Sequence, residues 1–287
     1  MRRIFVIGAT GMLGEPVARG LKDNGFLVRV FTRDLIKAKS RLGESFEFVS
    51  GDVEVLPSLE QAMQDCSGVH ISLRGGHTAE MLDRIEHLGT ANIARAAAKS
   101  SIERITLLSY AANLEHYTNV PYARAKYLGE TAVMKSGIPY TIFRATHFME
   151  SLKFYFQKQQ AYIIGDQPHR FHWCAADDYS QMVSKAYNNP ETRNKRLYVL
   201  GPEALTMREA LETYCRTKKP GTKISSMPFW MPRLMGILTF NPEMKFASSL
   251  MRFFSEVGEQ GDSSEANQLL GAPQTTLEEW SAKSNIN

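Results

Sequence analysis

Residues 3–7 (RIFVI) form an apolar, β-branched run. It leads directly into Gly8-Ala9-Thr10-Gly11-Met12-Leu13-Gly14 and then into a helical pattern that stops at Gly25. A buried strand that turns through three glycines into a helix leaves few folds open. Gly8 permits a tight turn, Gly11 lets backbone approach a ligand, and Gly14 lets the helix pack closely on the strand. Free N–H groups and the dipole at the start of that helix favour an anion, here a pyrophosphate. Thr10, Met12 and Leu13 complete this candidate binding loop.

The pattern then repeats. Strands are expected at 27–32, 46–50, 69–73, 104–109 and within 136–144. Helices are expected between them, notably at 56–65, 78–100 and 122–136. Strands alternating with helices build a parallel sheet by right-handed crossovers. The fold class is therefore α/β, a doubly wound parallel sheet of the Rossmann type. After residue 145 the regularity fades into a helix at 147–160, one at 176–188, a strand at 196–200 and helices beyond 206. The chain divides into a nucleotide-binding domain at 1–145 and a smaller α/β cap at 146–287, partly interleaved with the sheet.

Composition removes several alternatives. The three cysteines, Cys66, Cys174 and Cys215, are far apart and form no CxxC pair, as suits reduced thiols in the cytoplasm. No apolar run approaches the roughly 20 residues of a membrane span. The formal net charge of +4 is too mild for a nucleic-acid partner. His169 and His172 lie three apart without an accompanying cluster of ligands, so no metal site is expected. Met227–Phe254 spans an apolar stretch interrupted by Pro228 and Pro232, expected to be cap core or substrate lining.

The second strand ends Phe31-Thr32-Arg33, with no acid at its tip to hold a ribose 2′-hydroxyl. Arg33 is placed to take a 2′-phosphate instead, which selects NADP(H). Lys37 belongs to the same candidate site, within a window where Arg29, Arg33, Lys37, Lys39 and Arg41 face only Asp34. Tyr122 and Lys126 sit one helical turn apart, and Ser109 ends the fifth strand. A nearby ammonium lowers a phenol's pKa towards the range useful for acid–base work.

The spacing GxxGxxG in VIGATGMLG resembles the short-chain dehydrogenase/reductase superfamily and its atypical, NmrA-like branch. Gly51-Asp52-Val53 matches that family's adenine-contacting segment, which adds Asp52 and Val53 to the cofactor residues. Residues 89–105, 136–151 and 196–212 are similar too, so the likeness covers nearly the whole chain. The resemblance implies a catalytic set of Ser109, Tyr122 and Lys126, with Lys126 also on the nicotinamide ribose and Tyr122 as proton donor. Tyr110 is a less well placed alternative acid. There are two departures. Leu73-Arg74-Gly75-Gly76-His77 stands where small residues are usual, and Arg144-Ala145 replaces the usual Arg-Pro, which should loosen the following loop.

These features point to an NADPH-dependent reductase of a small carbonyl or quinone-like substrate. Two alternatives stay open: a non-catalytic NADP(H)-sensing regulatory protein, and a nucleotide-sugar epimerase or reductase. The partner is a small molecule; a homodimer or a regulatory protein partner is also open.

Overall fold

The computed structural model describes residues 1–157 and 159–283. Lys158 and the last four residues of the expected cap lie outside them. The first half runs β1 (Arg3–Ile7), α1 (Gly14–Asp23), β2 (Leu27–Thr32), α2 (Leu35–Leu42), β3 (Glu47–Ser50), α3 (Leu56–Ala62) and β4 (Gly68–Ile71). Then come α4 (Ala79–Leu82), a π-helical segment Asp83–Gly89, α5 (Thr90–Ala98), β5 (Arg104–Tyr110), α6 (Pro121–Met134) and β6 (Tyr140–Ala145). The second half holds β7 (Phe156–Gln157), β8 (Gln160–Ile164), β9 (Arg170–His172), α7 (Ala176–Asn188), β10 (Lys195–Val199) and β11 (Ala204–Thr206). It ends with α8 (Met207–Lys218), β12 (Lys223–Met227), α9 (Trp230–Leu238), α10 (Pro242–Val257), α11 (Ser264–Leu270) and α12 (Leu277–Lys283).

The main sheet has seven parallel strands in the order β10-β6-β5-β4-β1-β2-β3. The order reverses between β1 and β4, and ligands of doubly wound folds bind at the strand C-termini beside such a switch point. Helices cover both faces. α1 and α7 pack on one side through Val17, Leu21, Tyr179 and Val183, while α3 and α5 close the other through Leu59, Met63, Ile93 and Ala97. The central strands are buried on both faces, so they read as continuous apolar runs rather than alternating ones.

The cap has its own core around Trp173, Met207, Leu211, Tyr214 and Trp280. Its small sheets are β12-β8-β7 and β11-β9. The helix expected at 147–160 is replaced by a 3₁₀ turn, Met149–Tyr155, and the β7–β8 hairpin. Tyr, Phe and Ile in that stretch serve a strand equally well, and pairing with β12 decides it. The apolar stretch after residue 227 also departs from expectation. Met251, Phe253 and Phe254 are buried, but Trp230, Leu234, Ile237, Leu238 and Phe240 are exposed, Phe240 by 89%. Pro232 does not break α9, because it lies in the helix's first turn, where the missing N–H has no intrahelical role. Among the described residues no helix is long and apolar enough to cross a membrane.

Glu150 joins the cap to the sheet layer. Its Oε1 accepts from the Ala176 N–H at 3.1 Å and from Trp280 Nε1 at 3.0 Å, tying α7 to α12. Burial pushes its carboxyl up from 4.5 to about 7. The folded state thus holds this proton more tightly than the unfolded chain. Its stabilising effect is full below pH 4.5 and is lost as pH rises to about 7. Glu150→Gln should therefore raise the melting temperature by a few degrees at pH 8 and hardly at all near pH 4.5. Thermal melts of both proteins across that range check it.

Candidate cofactor and substrate site

The turn after β1 is built on close backbone approach. Gly8 has φ +84°, and a Cβ there would lie 2.1 Å from the Ser72 carbonyl oxygen, just past β4. A Cβ on Gly14 would lie 2.0 Å from the Gly8 carbonyl oxygen. Both glycines are therefore required by the fold itself. Gly11 differs: it is exposed, and its Cβ would meet only the Gly8 carbonyl oxygen, at 3.1 Å. No side chain caps the start of α1, since Leu13 occupies the N-cap. Its free N–H groups beside an open Gly11 fit a pyrophosphate. Thr10 and Met12 are half-buried along the same turn.

The cationic window resolves into two kinds of residue. Arg29 is nearly buried, bonded to Glu47 Oε1 at 2.7 Å and to the Ala62 carbonyl at 2.8 Å. Lys39 pairs with Glu44 at 3.3 Å, and Arg41 pairs with Glu15 on α1. Among the described residues, the side chains of Arg33 and Lys37 make no ion pair or hydrogen bond, and both are exposed. Asp34 is spent as the cap of α2, accepting from the Lys37 N–H at 2.9 Å. Past β3, Asp52 Oδ1 accepts from the Glu54 N–H at 3.0 Å. The Val53 side chain is buried, and its carbonyl is taken by Asn92 Nδ2 at 2.9 Å.

Lys126 Nζ lies 5.9 Å from the Tyr122 ring centroid, one turn away on α6, and Lys126 lines a small cavity with Ser109, which sits near the C-terminal end of β5. Arg144 sets the placement of α6. Its guanidinium meets Glu130 twice, at 2.8 and 3.1 Å, and also reaches the Tyr198 hydroxyl at 3.1 Å. The buried pair bolts α6 to β6. Thr146 is held as well, donating its N–H to the Val199 carbonyl at 3.1 Å.

Ser109 Oγ is buried without a hydrogen-bond partner. It lines a cavity of about 10 Å³ with Leu73, Glu86, Thr90 and Lys126, enough for a single water. Lys126 Nζ lies 2.8 Å from Glu86 Oε2, a residue the sequence reading did not single out. The Tyr122 ring packs against Tyr110, Phe253 and Phe254, with centroids 6.0–6.3 Å apart. Desolvation by those rings outweighs the Lys126 ammonium, and the phenol is pushed up to about 12. The lysine lowers the phenol as its spacing leads one to expect, but burial outweighs it. Burial likewise pushes the Tyr110 phenol well above its ordinary value. His147 adds a third buried group, with both ring nitrogens unpartnered between Phe171, Trp173 and Phe254. Burial lowers it to about 3, so its ring is neutral. Arg74 stacks on Phe154 at 5.6 Å and approaches His77 Nε2 at 3.2 Å.

Among the described residues no group of three or more His, Cys, Asp or Glu could hold a metal ion. His172 is occupied by Glu259, at 2.5 Å.

A seven-strand doubly wound sheet with an uncapped glycine turn at its switch point defines a dinucleotide-type Rossmann protein. More narrowly, the chain belongs to the NmrA-like family, whose model matches residues 1–281. Photosystem II assembly factor Ycf39 of Trieres chinensis is 21% identical over 237 residues, 81% of this chain and 74% of the relative. Triphenylmethane reductase of Citrobacter sp., solved with NADP(H), has a TM-score of 0.77 at 18% identity, covering 98% of this chain and 99% of that one. An NADPH-dependent quinone oxidoreductase of Escherichia coli, solved with NADPH, has a TM-score of 0.73 at 20% identity, covering 97% and 98%. At these identities the two structures share the fold.

The three loop glycines should separate experimentally. Gly11→Val should fold normally and lose measurable dinucleotide binding. Gly14→Val should fail to fold stably, because its side chain meets backbone. Circular dichroism melts and calorimetry on both variants check this contrast.

Proposed function

We propose that this protein is an NADP(H)-dependent reductase of a quinone-like aromatic acceptor. The cofactor part rests on the fit of the chain to the group. Gly11 and the α1 N-terminus would cradle the pyrophosphate, Arg33 and Lys37 the 2′-phosphate, and Lys126 the nicotinamide ribose. Asp52 and Val53 would hold the adenine end. The resemblance in fold to proteins solved with NADP(H) supports the same assignment.

The observation that carries the reaction type is the phenol of Tyr122, up to about 12 among aromatic rings. A proton donor works best with a pKa near the working pH. Bound NADPH supplies a hydride. An acceptor that takes hydride into a stabilised anion needs no protein acid, because solvent can protonate the product. Simple ketones and aldehydes lack that stabilisation. Tyr110, Tyr122, His147 and Phe254 then act by stacking on a flat ring and excluding water. Ser109, with its unpartnered hydroxyl, is the group available to hydrogen-bond an acceptor oxygen or the nicotinamide amide. Three buried free thiols agree with a reducing compartment such as the cytoplasm.

A second reading has its own support. The exposed apolar face of α9 suits a protein partner, and the Ycf39 relatives are named as assembly factors. On that reading the protein binds NADP(H) and engages a partner without turnover. Loss of absorbance at 340 nm with a quinone panel separates the two: turnover supports the reductase, and its absence supports the binding protein.

Two variants test the details. Arg33→Ala should weaken NADPH by about 10- to 100-fold, the scale of one charge-assisted contact, and leave NADH affinity unchanged. Equal affinity of the wild type for both cofactors would contradict the role of Arg33. Tyr122→Phe should retain quinone reduction within about threefold, whereas a general acid would cost about 10²–10⁴-fold.

A further inference from the structure

We infer that Glu86 is a positioning residue of the cofactor site, acting on the nicotinamide end by holding Lys126 and the loop after β4 with one carboxylate. This rests on the cofactor reading above. The two oxygens are divided between the two tasks. Oε1 accepts from the Gly75 N–H at 2.8 Å, and Oε2 meets Lys126 Nζ at 2.8 Å. The pair is almost closed to solvent, with side-chain exposures of 4% for Glu86 and 14% for Lys126. A carboxylate this buried is costly unless compensated, here by the Gly75 N–H on one oxygen and the Lys126 charge beside the other.

The local backbone is shaped for this contact. Glu86 lies in the π-helical segment Asp83–Gly89, between α4 and α5. Such wide turns are uncommon and concentrate at functional sites. α6 crosses that segment at Gly129, where a Cβ would lie 2.9 Å from the Glu86 carbonyl oxygen. Gly129 and Lys126 are three residues apart on one face of α6, so the close crossing delivers the ammonium to the carboxylate. On the other side, Gly75 has no room for a side chain, since a Cβ would meet the Leu82 Cα at 2.8 Å. Two walls of the small cavity beside Ser109 are thereby tied to a single residue.

The charge balance gives Glu86 a second effect. Lys126 faces Glu86 from the π-segment, Tyr122 and Glu130 from its own helix, and Ser109 from β5, while Arg74 and Tyr110 lie beside Tyr122. Burial favours the neutral amine, and Glu86 is the nearest group that reverses this. With Glu86 present the ammonium persists above neutral pH and keeps donors free for ribose hydroxyls. Without it, a buried lysine loses its proton as pH rises.

The test is cofactor binding, and it needs no substrate. Glu86→Gln keeps the acceptor for the Gly75 N–H and removes the charge. Calorimetry would compare NADPH with adenosine 2′,5′-bisphosphate, which carries the adenine half alone, at pH 7 and about pH 9.5. Glu86→Gln should weaken NADPH by about tenfold or more at the higher pH, less at pH 7, and leave the bisphosphate within about twofold of wild type. In a Lys126→Met background the same change should add less than about twofold. Equal losses for both ligands in a folded variant, or unchanged NADPH affinity at both pH values, would overturn the proposal. So would a full additional loss in the Lys126→Met background. A wild type that binds no NADPH overturns the cofactor reading itself, a result distinct from all of these.

Discussion

The architecture depends on one constraint of backbone proximity. The Gly8 carbonyl sits where Gly14 must pass, and Gly8 itself lies against the Ser72 carbonyl at the end of β4. No side chain fits at either glycine. Because they are bare, α1 can start directly above the β1–β4 switch point with its N-terminus open. Strand order, the packing of α1 against α7 and the anion-binding geometry at Gly11 all follow from that approach.

A second layer of control comes from buried ion pairs on α6. Glu130 fixes the helix to Arg144 of β6, and Lys126, four residues before Glu130, is held by Glu86 of the π-helical segment. These pairs place charge where it is needed and leave the phenol of Tyr122 to its ring neighbours. Desolvation then decides its chemistry, since the ammonium's attraction is smaller than the loss of water. The same burial neutralises His147 and raises Tyr110. The result is a packed aromatic cluster in which Tyr110, Tyr122 and His147 hold their charge states across ordinary pH.

Much of this was legible from residue order, and the limits have physical causes. Continuous apolar strands and glycine spacing identify the sheet and its loop, because both depend on local sequence. Arg33 and Lys37 stand out as cations beside a strand tip, but Arg29, Lys39 and Arg41 look identical in sequence. Only folding reveals that Glu47, Glu44 and Glu15 neutralise them. Glu86 carries no sequence signal, because a π-turn within a helical pattern has no distinctive composition. The net shift of the Tyr122 phenol is hidden from the sequence for a related reason. Spacing reports Lys126 one turn away, whereas Phe253 and Phe254 arrive from more than a hundred residues downstream. The hairpin at β7–β8 escaped because its partner strand, β12, lies some sixty residues away. The exposed face of α9 escaped because an apolar run reads the same whether its rings point inward or outward.

On the proposed reading, a quinone-like acceptor takes hydride without help from a titrating protein acid. The most direct measurement is the single-turnover rate of NADPH oxidation by a quinone, followed at 340 nm with saturating cofactor between pH 6 and 9. With Tyr122 near 12 and His147 near 3, neither changes charge in that window. The rate should therefore be flat with pH. A rate that falls along a single titration curve inside the window would reveal a protein proton donor and contradict the account.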